Sequence, residues 1–332
     1  MEIYGADLDG IDGRLVKFNT QNESNRKGAS ILGLASKVVK EGYHRAVKAI
    51  ETMGEPWKTN VQSTGYTIQL MPSEVPKYSA GLDLPMACML LQASILGATD
   101  KIDIEITKLD KQIGELGGTN ITEKFKQLVE LKKTKINQKA RIVKYRQILS
   151  ENGDKYLMIG ELDIITGNIG APLRGMFGMM DAARDGFKVI VPEECELHAG
   201  LLQQKKTKTE YFIVNNISEV WGIILGKREP QPARSKNPIT IRRDLHHIPD
   251  ISHITGVSRA KWAMTVALAG GHNILLVGPA GEGKTMLGKA ALGVLPNLNK
   301  EELYEINKIS SAAGKLDYNE LSLSRPYQEV SN

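Results

Sequence analysis

The chain has 332 residues, 41% of them hydrophobic and 24% charged, with a net charge of +5. That is ordinary for a folded globular protein, leaves room for two domains or three, and argues little about partners by itself. Two cysteines, Cys88 and Cys195, exclude a disulfide framework, are too few for a structural metal site, and suggest a reducing compartment. Met1-Glu2-Ile3-Tyr4 lacks the basic and apolar regions of a secretory signal. The longest apolar stretch, around 84–96, is interrupted by Gln92 and Ser94 and is too short to span a bilayer. The expectation is a cytoplasmic protein with no membrane contact.

The first segment, 1–96, mixes short strands and helices. Leu15-Val16-Lys17-Phe18-Asn19 alternates like a half-buried strand after a turn punctuated by Gly10 and Gly13. Ser36 to Met53 reads as an amphipathic helix with Val38, Val39, Ala46, Val47 and Ile50 apolar. Thr67-Ile68-Gln69-Leu70 reads as a strand running into a turn-rich loop, Met71 to Gly81. Leu82 to Ser94 then forms a largely buried helix.

From Lys101 the pattern changes. Ile102, Ile106, Leu109, Ile113 and Leu116 alternate four and three apart, the spacing of a coiled-coil seam, until Gly117-Gly118 breaks it. A second helix, 121–149, carries Val129, Ile136 and Val143 on one stripe, with Leu128, Ile142 and Leu149 beside it. Together they predict an antiparallel helical hairpin, 99–154, inserted into the first domain, which folds without it. The second helix holds Lys124, Lys126, Lys132, Lys133, Lys135, Lys139, Arg141, Lys144 and Arg146 against Glu123 and Glu130. Two readings stay open: a phosphate-contacting face for DNA, or a solvated face or subunit contact.

Residues 155–225 return to the mixed pattern. Strands are expected over 156–165 and Lys188 to Pro192, a helix over Gly175 to Ala183, and a strand and a helix over 210–225. Glu193, Glu194 and Glu196 read as a solvated cluster at a strand end. The two flanks of the hairpin make one domain, 1–225. A linker follows, 226–243, with prolines at 230, 232 and 238 and basic Lys227, Arg228, Arg234, Lys236, Arg242 and Arg243, a second candidate contact for DNA. His246, His247 and His253 lie close together but lack the spacing of a metal site.

Residues 244–332 open a further domain around Gly278-Pro279-Ala280-Gly281-Glu282-Gly283-Lys284-Thr285. This motif follows the apolar run Asn273 to Val277, expected to be a buried strand, and precedes a helix-forming run from Met286 to Val294. Glycines let backbone amides converge on phosphate oxygens, and a helix N-terminus adds partial positive charge. Lys284 is placed to reach the β- and γ-phosphates of ATP, and the Thr285 hydroxyl to hold Mg²⁺.

Further motifs carry a resemblance. They are Asp250-Ile251, Gly256-Val257-Ser258-Arg259-Ala260-Lys261-Trp262-Ala263 and Ala267-Leu268-Ala269-Gly270-Gly271-His272-Asn273. Upstream stand Gly33-Leu34, Val39-Lys40-Glu41 with Arg45-Ala46-Val47, Pro76-Lys77 with Ser79, Asp83-Leu84-Pro85-Met86-Ala87, and Gly160-Glu161-Leu162 with Gly167. With these the chain resembles the ComM/YifB branch of the magnesium-chelatase-like AAA+ ATPases, over nearly everything except the hairpin. The resemblance implies an α/β protein: an α+β Lon-protease-like first domain with the inserted hairpin, then the start of a P-loop AAA+ domain. It also implies an ATP- and Mg²⁺-dependent homo-oligomeric ring, associated with DNA branch migration, in which Ile251 to Gly256 packs near the adenine.

Two departures qualify it. Lon uses a Ser-Lys dyad, and Ser79 stands at the nucleophile's place. An alignment anchored on Arg184-Asp185-Gly186 puts Gly178 at the lysine's place, and no lysine occurs between Lys155 and Lys188, so no active protease is expected. After Arg325-Pro326-Tyr327 the family's Pro-His-His gives way to Val330-Ser331-Asn332. No apolar run ending in Asp-Glu follows residue 285, so the ATPase domain is expected to be incomplete and without turnover by itself. The leading expectation is the ATP-binding portion of a ComM-like ATPase acting on DNA. The alternatives are a magnesium-chelatase-type subunit, or a non-catalytic binding module that has lost its motor.

Overall fold

The sheet starts from two paired segments whose middle residues are buried. Ala6 and Leu8 sit on either side of Asp7 in β1 (Glu2–Asp9), which pairs antiparallel with β2 (Asp12–Glu23) across a turn where Gly10 takes φ +64°. The computed structural model describes residues 1–23, 28–62, 64–116, 123–234, 248–321, 323 and 325–327. By Cα proximity the chain divides into two units, Met1–Lys236 with Ser310–Asn319, and Asn237–Ile309 with Glu320–Asn332.

In the first unit the chain continues through β3 (Gly28–Leu32), α1 (Lys37–Thr52), α2 (Trp57–Gln62) and β4 (Gly65–Met71). Two long helices follow, α3 (Asp83–Leu116) and α4 (Glu123–Glu151), then β5 (Lys155–Met158), β6 (Glu161–Leu162), β7 (Ile169–Gly170) and α5 (Met176–Asp181). The run ends with β8 (Phe187–Pro192), α6 (Glu196–Lys205), β9 (Glu210–Val214), α7 (Ile217–Ile224) and β10 (Gln231–Pro232). Eight strands form one mixed sheet in the order β10-β9-β8-β5-β1-β2-β4-β3, and β6 pairs with β7 separately. The middle run β9-β8-β5-β1 is parallel, while β2 is antiparallel to both β1 and β4. The chain is therefore an α/β protein, as the mixed pattern predicts.

Ser36 caps α1, its hydroxyl accepting from Val39 N, and Val39, Ala46, Ala49 and Ile50 are buried while Val38 stays 42% exposed. The start of α3 is apolar all round: Leu84, Met86, Ala87, Cys88, Leu90 and Leu91 are fully or almost fully buried against sheet residues such as Phe18, Ile68 and Leu70. By length and composition Ala80–Ala98 would suit a bilayer, but 78% of its apolar window is buried inside the fold.

Several expectations are corrected. The buried helix and the first arm of the hairpin are one uninterrupted helix, α3. Its burial narrows from all faces to one stripe, with Ile102 and Leu109 buried and Ile104 56% exposed, and that change in pattern looks like a boundary in sequence. In α4 the inward residues are Ile142, Tyr145 and Leu149, whereas Ile136 and Val143 of the expected main stripe are about half exposed. The strand expected over 156–165 leaves the sheet after Met158, because Gly160 N turns to donate to Gly81 O at 3.0 Å. The Gly117-Gly118 break, most of the linker from Ser235 on, His246, His247 and Val330 to Asn332 lie outside the described residues.

The second unit contains α8 (Ser258–Ala269), α9 (Lys284–Val294) and most of α10 (Lys300–Ala312). Its core is small: Ile254, Met264, Leu287, Ala290 and Ala291. The run Asn273 to Val277 is not a strand among the described residues, and its Leu275 and Val277 are 85% and 86% exposed. An apolar run makes a strand only where a neighbour supplies ladder bonds, and none does among the described residues.

Candidate functional site

The glycine loop leads directly into a helix. Gly281 and Gly283 take φ +83° and +77°, the left-handed region open to glycine, so the chain turns tightly and enters α9 at Lys284. Leu287, Ala290 and Ala291 bury the opposite face of α9 and fix its direction. The amides of its first turn have no acceptor within the helix, as at any helix N-terminus. Lys284 Nζ folds over the loop and donates to Gly278 O at 2.7 Å and to Pro279 O. Thr285 is exposed in that same first turn.

This donor set fits a polyphosphate with its divalent cation. A lysine ammonium, a threonine hydroxyl and unpaired first-turn amides meet in one loop, and no Cβ stands at Gly281 or Gly283 to obstruct an approach. Gly278, Pro279, Ala280, Gly281, Glu282, Gly283, Lys284 and Thr285 are thus one continuous feature. Upstream, Asp250 accepts from Ser252 N at 2.7 Å and pins the 251–253 turn, which lowers its carboxyl below the usual range. Ile254 plugs the small core. Two features had no sequence signal: Val257 stands at φ +46°, unusual for a β-branched residue, and Trp262 on α8 is 71% exposed. His253 belongs to no cluster of metal-ligating side chains among the described residues.

The upstream motifs meet around Asp83 at the start of α3. Arg45 of α1 grips its carboxylate through two nitrogens at 2.6 and 3.0 Å, with Asp83 itself 1% exposed. Burial pushes the Asp83 carboxyl up, and the guanidinium and Leu162 N pull against that shift. Leu84 N donates to Gly160 O at 3.1 Å. Motifs separated by more than a hundred positions thus share one buried polar joint, which sequence order conceals.

Among the described residues, no titratable side chain is hydrogen-bonded to the hydroxyl of Ser79. Its Oγ accepts from Gly81 N at 3.0 Å, capping a helical turn, and its own N–H, with that of Tyr78, donates to the buried Asp7 carboxylate. Lys77 is 1% exposed and donates to Gly33 O, Leu70 O and Pro72 O. Gly178 packs against the β1–β2 turn so tightly that a Cβ there would lie 2.4 Å from Ile11 O.

On the hairpin, Lys132, Lys135 and Lys139 of α4 reach Asp110, Glu105 and Asp103 of α3. A third of the nine cations is therefore spent within the hairpin. Counting charges along one helix could not reveal acids on the other. In the linker, Lys227 donates to Tyr145 OH and lies 4.4 Å from that ring's centre.

Comparison with known proteins matches a stretch of each unit. A family model described as magnesium chelatase, subunit ChlI, matches residues 250–332, and one described as subunit ChlI of Mg-chelatase matches residues 16–143. By these matches the chain is magnesium-chelatase-like and AAA+ ATPase-like. Within that class it is ComM/YifB-like. It is 27% identical to the uncharacterized protein YifB of Escherichia coli K12 over 91% of this chain and 47% of that protein. It is 24% identical to the competence protein ComM of Haemophilus influenzae over 93% of this chain and 49% of that protein. A Mycobacterium bovis protein is 25% identical over 97% of this chain and 52% of its own length. The chain thus spans about half the length of the curated relatives it matches.

Proposed function

We propose that this chain is the ATP-binding portion of a ComM-like ATPase that works on DNA as a homo-oligomeric ring when complete. The observation that carries the reading is the Gly281/Gly283 turn delivering Lys284 and Thr285 at the first turn of α9. ATP with Mg²⁺ supplies the phosphoryl-transfer energy when bound. The chain's residues bind and orient it: Gly278 to Gly283 present amides, Lys284 exchanges its loop carbonyls for phosphate oxygens, and Thr285 holds the cation. In this reading the first domain, 1–225, is Lon-protease-like in fold and has no peptidase activity. The 226–243 linker offers cations to DNA, the hairpin offers fewer than its composition suggests, and the protein works in the cytoplasm.

Lys284→Ala is expected to remove binding of a labelled ATP analogue while the circular dichroism spectrum keeps its shape. Unchanged affinity would remove the phosphate-loop assignment. A second reading, a magnesium-chelatase-type subunit, is favoured by the descriptions of both matching family models. DNA-stimulated ATP hydrolysis by the complete protein supports the first reading, and ATP-dependent Mg²⁺ insertion into a porphyrin supports the second.

A further inference from the structure

The outward face of α4 is not that of a merely solvated helix. Val129, Ile136 and Val143 recur every seven residues, and Ile136 and Val143 are 45% and 49% exposed. They point away from the inward set, Ile142, Tyr145 and Leu149. All three are β-branched, among the weaker helix formers, so a face meant only for water gains nothing from them. At 3.6 residues per turn, Lys126, Lys133 and Lys144 line one border of the stripe and Arg146 the other. Lys132 and Lys139, also on that second border, are held by Asp110 and Asp103. Glu130 lies about a third of a turn off the stripe and pairs only loosely with Lys133, at 3.9 Å.

We propose that this stripe is a docking seam for an acidic amphipathic helix of a partner protein. An apolar row at one heptad position, with cations at the neighbouring positions, matches a helix that lays leucine-type residues over the row and glutamates beside it. A second copy of the same stripe would bring lysine borders against lysine borders, which is unfavourable. A nucleic-acid backbone would satisfy the cations but leave Ile136 and Val143 facing phosphates, with no apolar surface to cover them. The seam is independent of the nucleotide site, since every residue in it belongs to the hairpin.

The test uses the full 332-residue chain and a synthetic helix of about four heptads, leucine at a and d and glutamate at e and g, with a lysine-bordered version as control. Fluorescence anisotropy is expected to show binding of the glutamate helix and none of the lysine helix. Ile136→Ser with Val143→Ser should weaken it at least tenfold, as should Lys133→Glu with Lys144→Glu. These positions are exposed, so circular dichroism should be unchanged. Absence of binding, or binding indifferent to Ile136 and Val143, overturns the proposal. So does self-association that Ile136→Ser abolishes, which would make a second copy the occupant. Duplex DNA binding that needs Lys133 and Lys144 but not Ile136 or Val143 overturns it in favour of nucleic acid.

Discussion

His198 of α6 is buried to 0% exposure with neither ring nitrogen hydrogen-bonded, edge-on to Phe177 and to Tyr318 at 6.0 Å each. Burial pushes its pKa down to about 4, from the 6.5 of a free imidazole. The unfolded chain takes up its proton first, so stability is full above pH 6.5, falls as pH drops towards 4, and falls no further below it. The gap is worth roughly 3 kcal/mol. His198→Phe is expected to flatten this fall relative to the parent when urea midpoints are compared at about pH 7.5 and about pH 5. An equal fall in both proteins would show that His198 does not cause it. Gly178 sets a second constraint at this scale. Gly178→Lys, which writes the Lon-type lysine back in, should destabilise the fold by several kcal/mol and restore no peptidase. A fluorophosphonate probe labelling Ser79 in the parent or the variant would overturn the reading of Ser79 as a turn cap.

Among the elements, α3 and α4 most change what the sequence suggests. The heptad-like spacing predicts a detachable insert, yet Ile102, Ile142, Tyr145 and Leu149 belong to the main core, and Trp57 stacks on Tyr145 at 5.7 Å. Deleting 101–150 is therefore expected to lower the first unit's melting temperature sharply, whereas replacing only 108–138 with a short Gly-Ser loop should leave it nearly unchanged. Equal melting of the two variants would mean that the hairpin root adds nothing to the core. The legibility of each element followed its local signal. Ser36 with Val39, Ala46 and Ile50 predicted α1 because cap and period act within one helix. Thr67 to Leu70 and Lys188 to Pro192 predicted β4 and β8 for the same reason. The Arg45–Asp83 joint and the acids opposing Lys132, Lys135 and Lys139 are relations between elements, which no local pattern encodes. The tight turn at Gly281 and Gly283 running into α9 was legible because it depends on consecutive residues. The strand before it was read wrongly because a strand also needs a partner.

For the whole molecule, the two units differ in how much apolar surface each one hides. The first packs α3 and α5 against its sheet with α1 on α3, while the second has five buried apolar residues in its core cluster among those described and leaves Leu275, Val277 and Trp262 largely exposed. At roughly 25 cal/mol per Å² of apolar surface, the smaller core is the weaker one. Hydrolysis also needs a carboxylate beside the bound cation and a positioned water. Of the described acids after the loop, Glu302 joins Arg325 at 2.9 Å and accepts from Asn299 N, and Asp317 accepts from Asn319 N. None of the described acids there ends an apolar strand, so among the described residues no strand-end carboxylate is placed to share Mg²⁺ with Thr285. The 332-residue chain is thus expected to melt in two steps, the second unit first. ATP with Mg²⁺ should raise only that first step, with no phosphate release above background. Steady-state phosphate release and differential calorimetry check both halves. Turnover that vanishes in Lys284→Ala would show that these residues alone form a working ATPase.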